Sequence, residues 1–186
     1  DIELEEAESL GLTGPNGSGK STLLRVLASL LRPSEGRVLY RGAPLTESLA
    51  AYRAVINYSA GAPLGFYPRL TGIDNLRFFS GLKGRVLDPE EAGGLVARVG
   101  LPAEAGGKRY AQYSLGMKQR LHLARLLLEP CELILLDEPS NGLDAEGLKT
   151  LETLLNGPLK EKAKVVISHD SDFLAAVTRR RVRIGP

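Results

Sequence analysis

Hydrophobic residues along the chain alternate between strand-like and helix-like spacing. Short, largely apolar runs at residues 9–13, 132–137 and 165–168 are typical of strands buried in a parallel sheet. Leucines at helical spacing follow the first run, in residues 23–31, and separate the other two, in residues 148–155. The order strand, helix, strand predicts an α/β fold with a mainly parallel sheet.

Weaker sequence patterns predict where the first helix ends and where further strands lie. The first helix is expected to reach Leu31 and to end before Pro33. Gly36–Gly42, closed by a glycine turn, and Val55–Tyr58 predict two further strands in a sheet beside the first helix. Val182–Ile184 predicts a final strand.

The middle of the chain has a different pattern. Residues 59–72 are rich in Gly, Pro and Ala and predict a long connection that serves as a hinge. Thr71 is expected to cap a helix that carries apolar residues up to Leu82, and Pro89 to open another. Because no convincing strand occurs before about residue 129, we predict an inserted helical subdomain.

Composition limits the possible partners. A chain of 186 residues with 43% hydrophobic content predicts one domain. The 24 basic and 22 acidic residues give a formal net charge of +2, so nucleic acid is not an expected partner. The arginine-rich run at residues 179–183 is expected to be a solvated edge.

Cysteine use and hydropathy indicate the compartment. Cys131 is the single cysteine, which excludes an intrachain disulfide and favours a buried thiol in a reducing cytosol. No apolar stretch reaches the roughly 18 residues of a membrane span. Membrane association is therefore expected to need a partner.

A glycine-rich segment after the first strand matches GxxxxGK[ST], the Walker A phosphate-binding loop. It consists of Gly14, Pro15, Asn16, Gly17, Ser18, Gly19, Lys20, Ser21 and Thr22. A chance match would be only a glycine-rich turn, but the strand before it and the helix after it are the context that the motif requires. The sequence therefore predicts a nucleotide site.

Each part of this loop has its own electrostatic task. Glycines let the backbone curl tightly, so that its N–H groups surround the phosphates. Lys20 is expected to place an ammonium between the outer phosphates, and Ser21 to offer a hydroxyl to Mg²⁺. The following helix directs its positive N-terminal end at the anion.

The apolar run Leu133–Asp137, followed by Glu138, resembles a Walker B segment, in which a hydrophobic strand delivers an acid at its C-terminal end. Asp137 is expected to hold Mg²⁺ through its water shell, and Glu138 to act as general base for the attacking water. Two acids ending a strand by coincidence is the alternative, which the preceding Walker A loop disfavours.

Three further segments point to one family. Residues 113–120, Tyr-Ser-Leu-Gly-Met-Lys-Gln-Arg, resemble the signature motif of ATP-binding cassette (ABC) ATPases. Residues 140–144 resemble their D-loop, and residues 168–170 their switch-histidine segment. Taken alone, the signature serine would be only a helix cap and His169 an ordinary structural histidine. The order and spacing of all five motifs extend the resemblance over nearly the whole chain.

The resemblance implies a P-loop NTPase (RecA-like) fold, with a mainly parallel sheet, a small antiparallel β part and an inserted α-helical subdomain. Its core is expected at about residues 1–60 and 119–186, and the helical subdomain at about residues 61–118. ATP and Mg²⁺ are the implied cofactors. The implied partner is a separate transmembrane permease, which places the chain in the cytoplasm on the inner face of the membrane.

The resemblance also implies a head-to-tail homodimer with ATP between the subunits. Ser114 and Gly116 would contact the γ-phosphate of a nucleotide bound to the partner's Walker A loop. Asp144 of the D-loop is also expected to be a nucleotide-binding residue. His169 would contact the same phosphate from its own subunit. Closing and reopening the dimer then supplies a mechanical stroke.

Departures from the family pattern sharpen and complicate this interpretation. Leu115 and Met117 replace the usual first glycine and the glutamine of the signature motif. This variation resembles the cassettes of bacterial exporters whose membrane subunits are encoded separately. Residues 59–63 contain no glutamine where the family's Q-loop has one, and residues 1–12 contain no aromatic residue to stack on adenine. Two alternatives stay open: a soluble ABC ATPase of translation or DNA repair, and a degenerate cassette that binds ATP as a regulatory module.

Overall fold

The computed structural model describes residues 1–60, 65–128 and 131–185. The chain forms two compact units. The first comprises Asp1–Ala60, Cys131–Pro139 and Glu161–Pro186, and the second Gly61–Pro130 and Ser140–Lys160. The division predicted from the sequence, with a core that resumes at about residue 119, stays a prediction.

Strands and helices alternate along most of the chain. In order they are β1 (Ser9–Thr13), α1 (Lys20–Leu27), β2 (Leu39–Tyr40), β3 (Ala43–Pro44), α2 (Leu49–Val55), β4 (Ile56–Ser59), α3 (Gly72–Leu82), α4 (Pro89–Arg98), α5 (Leu115–Leu128), β5 (Leu133–Asp137), α6 (Ala145–Asn156), β6 (Ala163–Ile167), α7 (Ser171–Val177) and β7 (Arg180–Arg183). Single 3₁₀ turns lie at Leu45–Glu47, Ala103–Gly107 and Tyr110–Gln112. Within the described residues, none of the helices is long and apolar enough to cross a membrane.

A parallel five-stranded sheet forms the centre of the first unit, as the sequence predicts. The strand order is β4-β5-β6-β1-β7, and every neighbouring pair is parallel. Leu12 and Leu135 are fully buried and pack with Leu24 of α1 in one apolar cluster. Because the strands run in one direction, the segments that follow β1, β5 and β6 leave the sheet at the same edge. This edge carries the candidate site.

The small antiparallel part is a separate two-stranded sheet. Leu39 pairs with Pro44 and Tyr40 with Ala43. Arg41 and Gly42 have φ of 53° and 80°, and two positive φ values in a two-residue loop are typical of a type I′ hairpin. The predicted strand over residues 36–42 was therefore too long, since only Leu39–Tyr40 forms a strand there.

The first helix ends earlier than its leucine spacing predicts. It stops at Leu27, and Ser29 has a φ of 58°. Leu30 N–H donates to the carbonyl of Arg25 at 2.9 Å, and Ser29 N–H to that of Val26 at 3.0 Å. These bonds form a Schellman motif with serine in the position that glycine usually takes. The predicted end at Leu31 was wrong.

Two other strands differ in their bounds from the prediction. β4 begins at Ile56, because Val55 is the last residue of α2. β7 covers Arg180–Arg183 rather than residues 182–184, so the arginine run lies in an edge strand. Cys131 is buried, as predicted.

All regular elements of the second unit are helices within the described residues. Thr71 caps α3 as predicted: its hydroxyl accepts from Asp74 N–H at 3.0 Å and donates to the Asp74 carboxylate at 2.7 Å. Asp88 caps α4 by accepting from Glu91 N–H at 2.8 Å, and Pro89 occupies the first turn. The predicted helical pattern over these residues is confirmed.

Candidate nucleotide-binding site

The loop between β1 and α1 turns three times through glycine. Gly14, Gly17 and Gly19 have φ of 143°, 79° and 93°, values that residues with a Cβ rarely adopt. Gly19 lies directly before Lys20, the first residue of α1. The first-turn N–H groups of α1 have no acceptors within the helix, so they are available to an anion.

Lys20 lies folded back across the start of this loop. Its side chain donates from Nζ to the carbonyl oxygens of Gly14 at 2.9 Å and Pro15 at 2.8 Å, and only 8% of the residue is exposed. A charged ammonium held by carbonyl groups is thus kept beside the helix N-terminus. This arrangement concentrates positive charge where phosphates bind in P-loop proteins.

Ser21 and Asp137 meet although 116 positions separate them. The Ser21 hydroxyl donates to Asp137 Oδ1 at 3.0 Å, and Asp137 is 8% exposed at the end of β5. A hydroxyl and a carboxylate are the hard oxygen ligands that Mg²⁺ takes in nucleotide sites, together with phosphate oxygens and water. The two side chains therefore fit the predicted metal.

Glu138 and His169 form a second pair at the same edge of the sheet. Glu138 Oε2 accepts from His169 N–H at 3.2 Å. Glu138 Oε1 is a buried atom without a hydrogen bond among the described residues, and it lies 3.3 Å from His169 Nε2. Glu138 has a φ of 51° and donates its N–H to the carbonyl of Ile167 at 2.9 Å. A strained backbone holds this carboxylate with one oxygen available to a donor.

The signature segment lies in the second unit, at the start of α5. Ser114 directly precedes this helix, and its hydroxyl accepts from Met117 N–H at 3.2 Å, which is an N-cap contact. Gly116 lies in the first turn, where backbone N–H groups have no partners within the helix. The contact of both residues with a nucleotide of another subunit stays a prediction.

Asp144 of the predicted D-loop caps α6. Its Oδ1 accepts from Gly147 N–H at 2.9 Å and from Arg120 Nη2 at 2.7 Å. The bond from Arg120, and then that from Gly147, lowers the pKa of Asp144. Arg120 also donates to the carbonyl of Gly100 at 2.9 Å, so its guanidinium links α5 to the segment that follows α4 and to the cap of α6. Nucleotide contact by Asp144 stays a prediction.

Comparison with known proteins identifies the family. Residues 1–141 match the family described as "ABC transporter". The chain belongs to this family of ATPases. It is 39% identical over 80% of its length to the "Uncharacterized ABC transporter ATP-binding protein YdbJ" of Bacillus subtilis, of which it spans about half (47%). It is 37% identical over 96% of its length to the "Cytochrome c biogenesis ATP-binding export protein CcmA" of Pseudomonas aeruginosa, of which it spans 86%.

Solved structures of the family share the fold. The "ATP binding subunit of ABC transporter" has a TM-score of 0.84 and 25% identity, with 98% of this chain and 77% of that chain covered. A dimeric, post-hydrolysis "ATP-binding cassette MJ0796 bound to ADP and Pi" has a TM-score of 0.82 and 24% identity, with 100% and 86% covered. The ABC cassette therefore has the P-loop NTPase fold that the resemblance predicts.

The sequence interpretation overlooked Asn75, which organises the segment before α3. This residue is fully buried. Its Oδ1 accepts from Tyr67 N–H at 2.7 Å, and its Nδ2 donates to the carbonyls of Tyr67 at 3.0 Å and Thr71 at 2.9 Å. Asparagine is a poor helix former, and its place one turn inside a helix was the available signal.

The predicted Q-loop segment is only partly described. Ser59 ends β4, and residues 61–63 lie outside the described residues. The sequence itself supplies no glutamine between residues 59 and 63, where this ABC cassette was expected to carry one.

Proposed function

We propose that this ABC cassette is the ATP-hydrolysing subunit of a bacterial exporter and drives a separate transmembrane permease. The observation that carries the proposal is the arrangement in the first unit, where the Ser21–Asp137 and Glu138–His169 pairs lie at the carboxyl ends of strands of one parallel sheet. The CcmA relatives are named export proteins, which supports the proposed direction of transport.

The first unit supplies both phosphate binding and metal binding. Lys20 and the first-turn amides of α1 hold the β- and γ-phosphates. Ser21 and Asp137 would hold Mg²⁺, which would neutralise charge on the phosphate oxygens. Holding the triphosphate in one geometry is the main contribution of such a site.

Glu138 and His169 act on the attacking water and the γ-phosphate. Glu138 accepts a proton from the water while the water oxygen bonds to the γ-phosphorus and the bond to ADP breaks. The His169 side chain is 63% exposed and 3.3 Å from the carboxylate, so it can orient Glu138 and reach a bound γ-phosphate. The products are ADP and inorganic phosphate.

The second unit makes the contacts outside the chain's own nucleotide. Ser114 and Gly116 contact ATP of a second subunit in a head-to-tail homodimer. Tyr67, Phe78 and Leu82 form an exposed apolar set, with 49%, 38% and 65% exposure, and the rings of Tyr67 and Phe78 lie 4.8 Å apart. This set, called here the aromatic surface, docks cytoplasmic helices of the permease and holds the cassette at the inner face of the membrane.

The catalytic part is tested by steady-state ATP hydrolysis. Glu138→Gln is expected to lower the rate by a factor of about 100 or more, because the general base is lost. Glu132→Gln is the matched control, since Glu132 lies just before β5 and pairs with Tyr40 and Arg41 instead. Equal rates for Glu138→Gln and the wild type contradict the assignment.

The docking part is tested by co-purification with a candidate permease produced together with this chain. Tyr67→Ser combined with Phe78→Ser is expected to abolish assembly while ATP affinity is retained. Val86→Ser controls for loss of exposed apolar area, because Val86 is 91% exposed in the same unit. Assembly that survives the double substitution rules out the aromatic surface as the docking site.

One alternative has a specific observation in its favour. The missing glutamine at residues 59–63 favours a regulatory cassette that binds ATP without turnover. Such a module would bind ATP through Lys20, but its hydrolysis rate would be negligible in both the wild type and the Glu138→Gln variant. A measured wild-type rate that depends on Glu138 eliminates it.

A further inference from the structure

The chain beyond β7 runs alongside the nucleotide loop. β7 pairs with β1 in parallel, with Val182 opposite Leu12 and Arg183 opposite Thr13. The pairing continues past both strands, because Ile184 N–H donates to the Thr13 carbonyl at 2.7 Å. Ile184 therefore lies beside the point where β1 gives way to the Walker A loop.

Two glycines make a close approach possible here. A Cβ added to Gly14 would lie 2.2 Å from the carbonyl oxygen of Ile184, which is closer than real atoms approach. A Cβ added to Gly185 would lie 2.9 Å from Cβ of Ser18. Gly185 has a φ of 89°, so the chain turns across the loop at this residue. The Walker A loop is thus confined by backbone from a segment about 170 positions away.

We propose that Ile184 and Gly185 are positioning residues for nucleotide binding, which hold Gly14 and Ser18 of the Walker A loop in the conformation that receives phosphates. The inference rests on the proposed nucleotide site and adds to it a segment with no reactive side chain. Confinement reduces the conformations that the loop must give up when ATP binds, so affinity depends on the contact.

The contact and the nucleotide must then stabilise each other. If residues 184–185 favour the binding conformation of the loop, bound ATP must favour the closed contact by the same factor. The N–H of Ile184 reports this, because its hydrogen bond to Thr13 opens when the segment moves away. Slower hydrogen exchange at Ile184 with ATP is therefore a direct consequence.

The first test compares two glycine substitutions at positions of similar positive φ, 89° at Gly185 and 76° at Gly36. Gly185→Ala places a methyl group against Ser18, whereas Gly36→Ala has a similar φ of 76° with nothing within 4 Å. The Kd of Mg-ATP, measured by calorimetry, is expected to rise about tenfold or more for Gly185→Ala and less than about twofold for Gly36→Ala. Equal Kd values for the two variants overturn the proposal.

A second substitution tests the mechanism of that loss. Ser18→Gly removes the Cβ that the new methyl group meets. Its effect on the Kd of Mg-ATP is therefore expected to be more favourable in the Gly185→Ala background than in the wild type. Ser18→Ala keeps the Cβ and is the control. Additive effects of Ser18→Gly and Gly185→Ala contradict a direct contact.

Hydrogen exchange on the unmodified chain keeps the test independent of whether the variants fold. Mg-ATP is expected to slow exchange of the Ile184 amide, and unchanged exchange with saturating Mg-ATP overturns the inference. Wild-type binding and its loss in Lys20→Ala are measured first. If the wild type does not bind Mg-ATP, or Lys20→Ala binds it equally well, the nucleotide site itself is rejected. If both results are as expected but Gly185→Ala leaves the Kd unchanged, only the positioning role is rejected.

Discussion

Replacement of Asn75 by leucine tests whether one buried amide holds the segment that leads into α3. Leucine has similar size and a higher helix propensity, so neither a large cavity nor helix preference opposes the substitution. What is lost is three short hydrogen bonds, to Tyr67 N–H, Tyr67 C=O and Thr71 C=O, and a long one of 3.5 Å to the Leu70 carbonyl. Destabilisation must therefore come from these bonds.

The magnitude follows from which partners are left unpaired. Thr71 C=O also accepts from the N–H of residue 75, and Tyr67 C=O also accepts from Leu70 N–H at 3.2 Å. Only Tyr67 N–H loses the acceptor seen for it among the described residues. Three net hydrogen bonds at about 1 kcal/mol each, partly offset by burial of the leucine, give a loss of about 2–3 kcal/mol.

Urea unfolding measures this loss as a change in the free energy of unfolding. Gly81→Ala in the same helix is the control of opposite sign, because a Cβ there meets nothing within 4 Å and alanine stabilises helices by about 0.5–1 kcal/mol. Since Tyr67 belongs to the aromatic surface, Asn75→Leu should also weaken permease assembly without changing ATP affinity. Stability within about 0.5 kcal/mol of the wild type refutes the reasoning.

Three further outcomes are expected. Burial, and then Tyr40, raises the pKa of Tyr52 from 10.0 to about 12. The neutral side chain therefore contributes about 3 kcal/mol to the free energy of unfolding, fully below pH 10 and progressively less as pH rises through 12. In urea unfolding across this range, Tyr52→Phe should lose stability less steeply with pH than the wild type does. Arg120→Lys should lower stability by about 1.5 kcal/mol in the same assay, because lysine lacks the fork that also reaches the Gly100 carbonyl. Gly94→Ala should stabilise the folded chain by about 0.5–1 kcal/mol, because a Cβ at this position in α4 meets nothing within 4 Å. Thermal unfolding measures this gain, since each kcal/mol raises the midpoint by about 2–4 °C.

Sequence alone predicts the sheet well where strands are buried on both faces. β5 contains the apolar run Leu133–Leu136 and β6 the run Val165–Ile167, and such a run has few alternatives in an α/β chain. It fails where a single backbone conformation ends an element. Leu30 and Leu31 keep helical spacing but are 60% and 44% exposed, because the positive φ of Ser29 has already ended α1.

The candidate site divides in the same way. Local motifs predicted Lys20 and Glu138, since each belongs to a short pattern with a known chemical demand. Contacts between distant segments left no pattern. Gly185 packs on Ser18, and Arg120 pairs with Asp144, through geometry that only the folded chain defines.

Strand register explains how neighbouring acids take different tasks. Asp137 and Leu12 both pair with Ile167 of β6, so the ends of β1 and β5 lie level across the sheet. Asp137, the last residue of β5, contacts Ser21, whereas Glu138 follows the strand with a positive φ and contacts His169. A shift of β5 by one residue would move Asp137 away from Ser21 and bring a neighbouring residue to its position. The apolar run of β5, buried on both faces, therefore supports the division of roles between the two acids as well as the stability of the sheet.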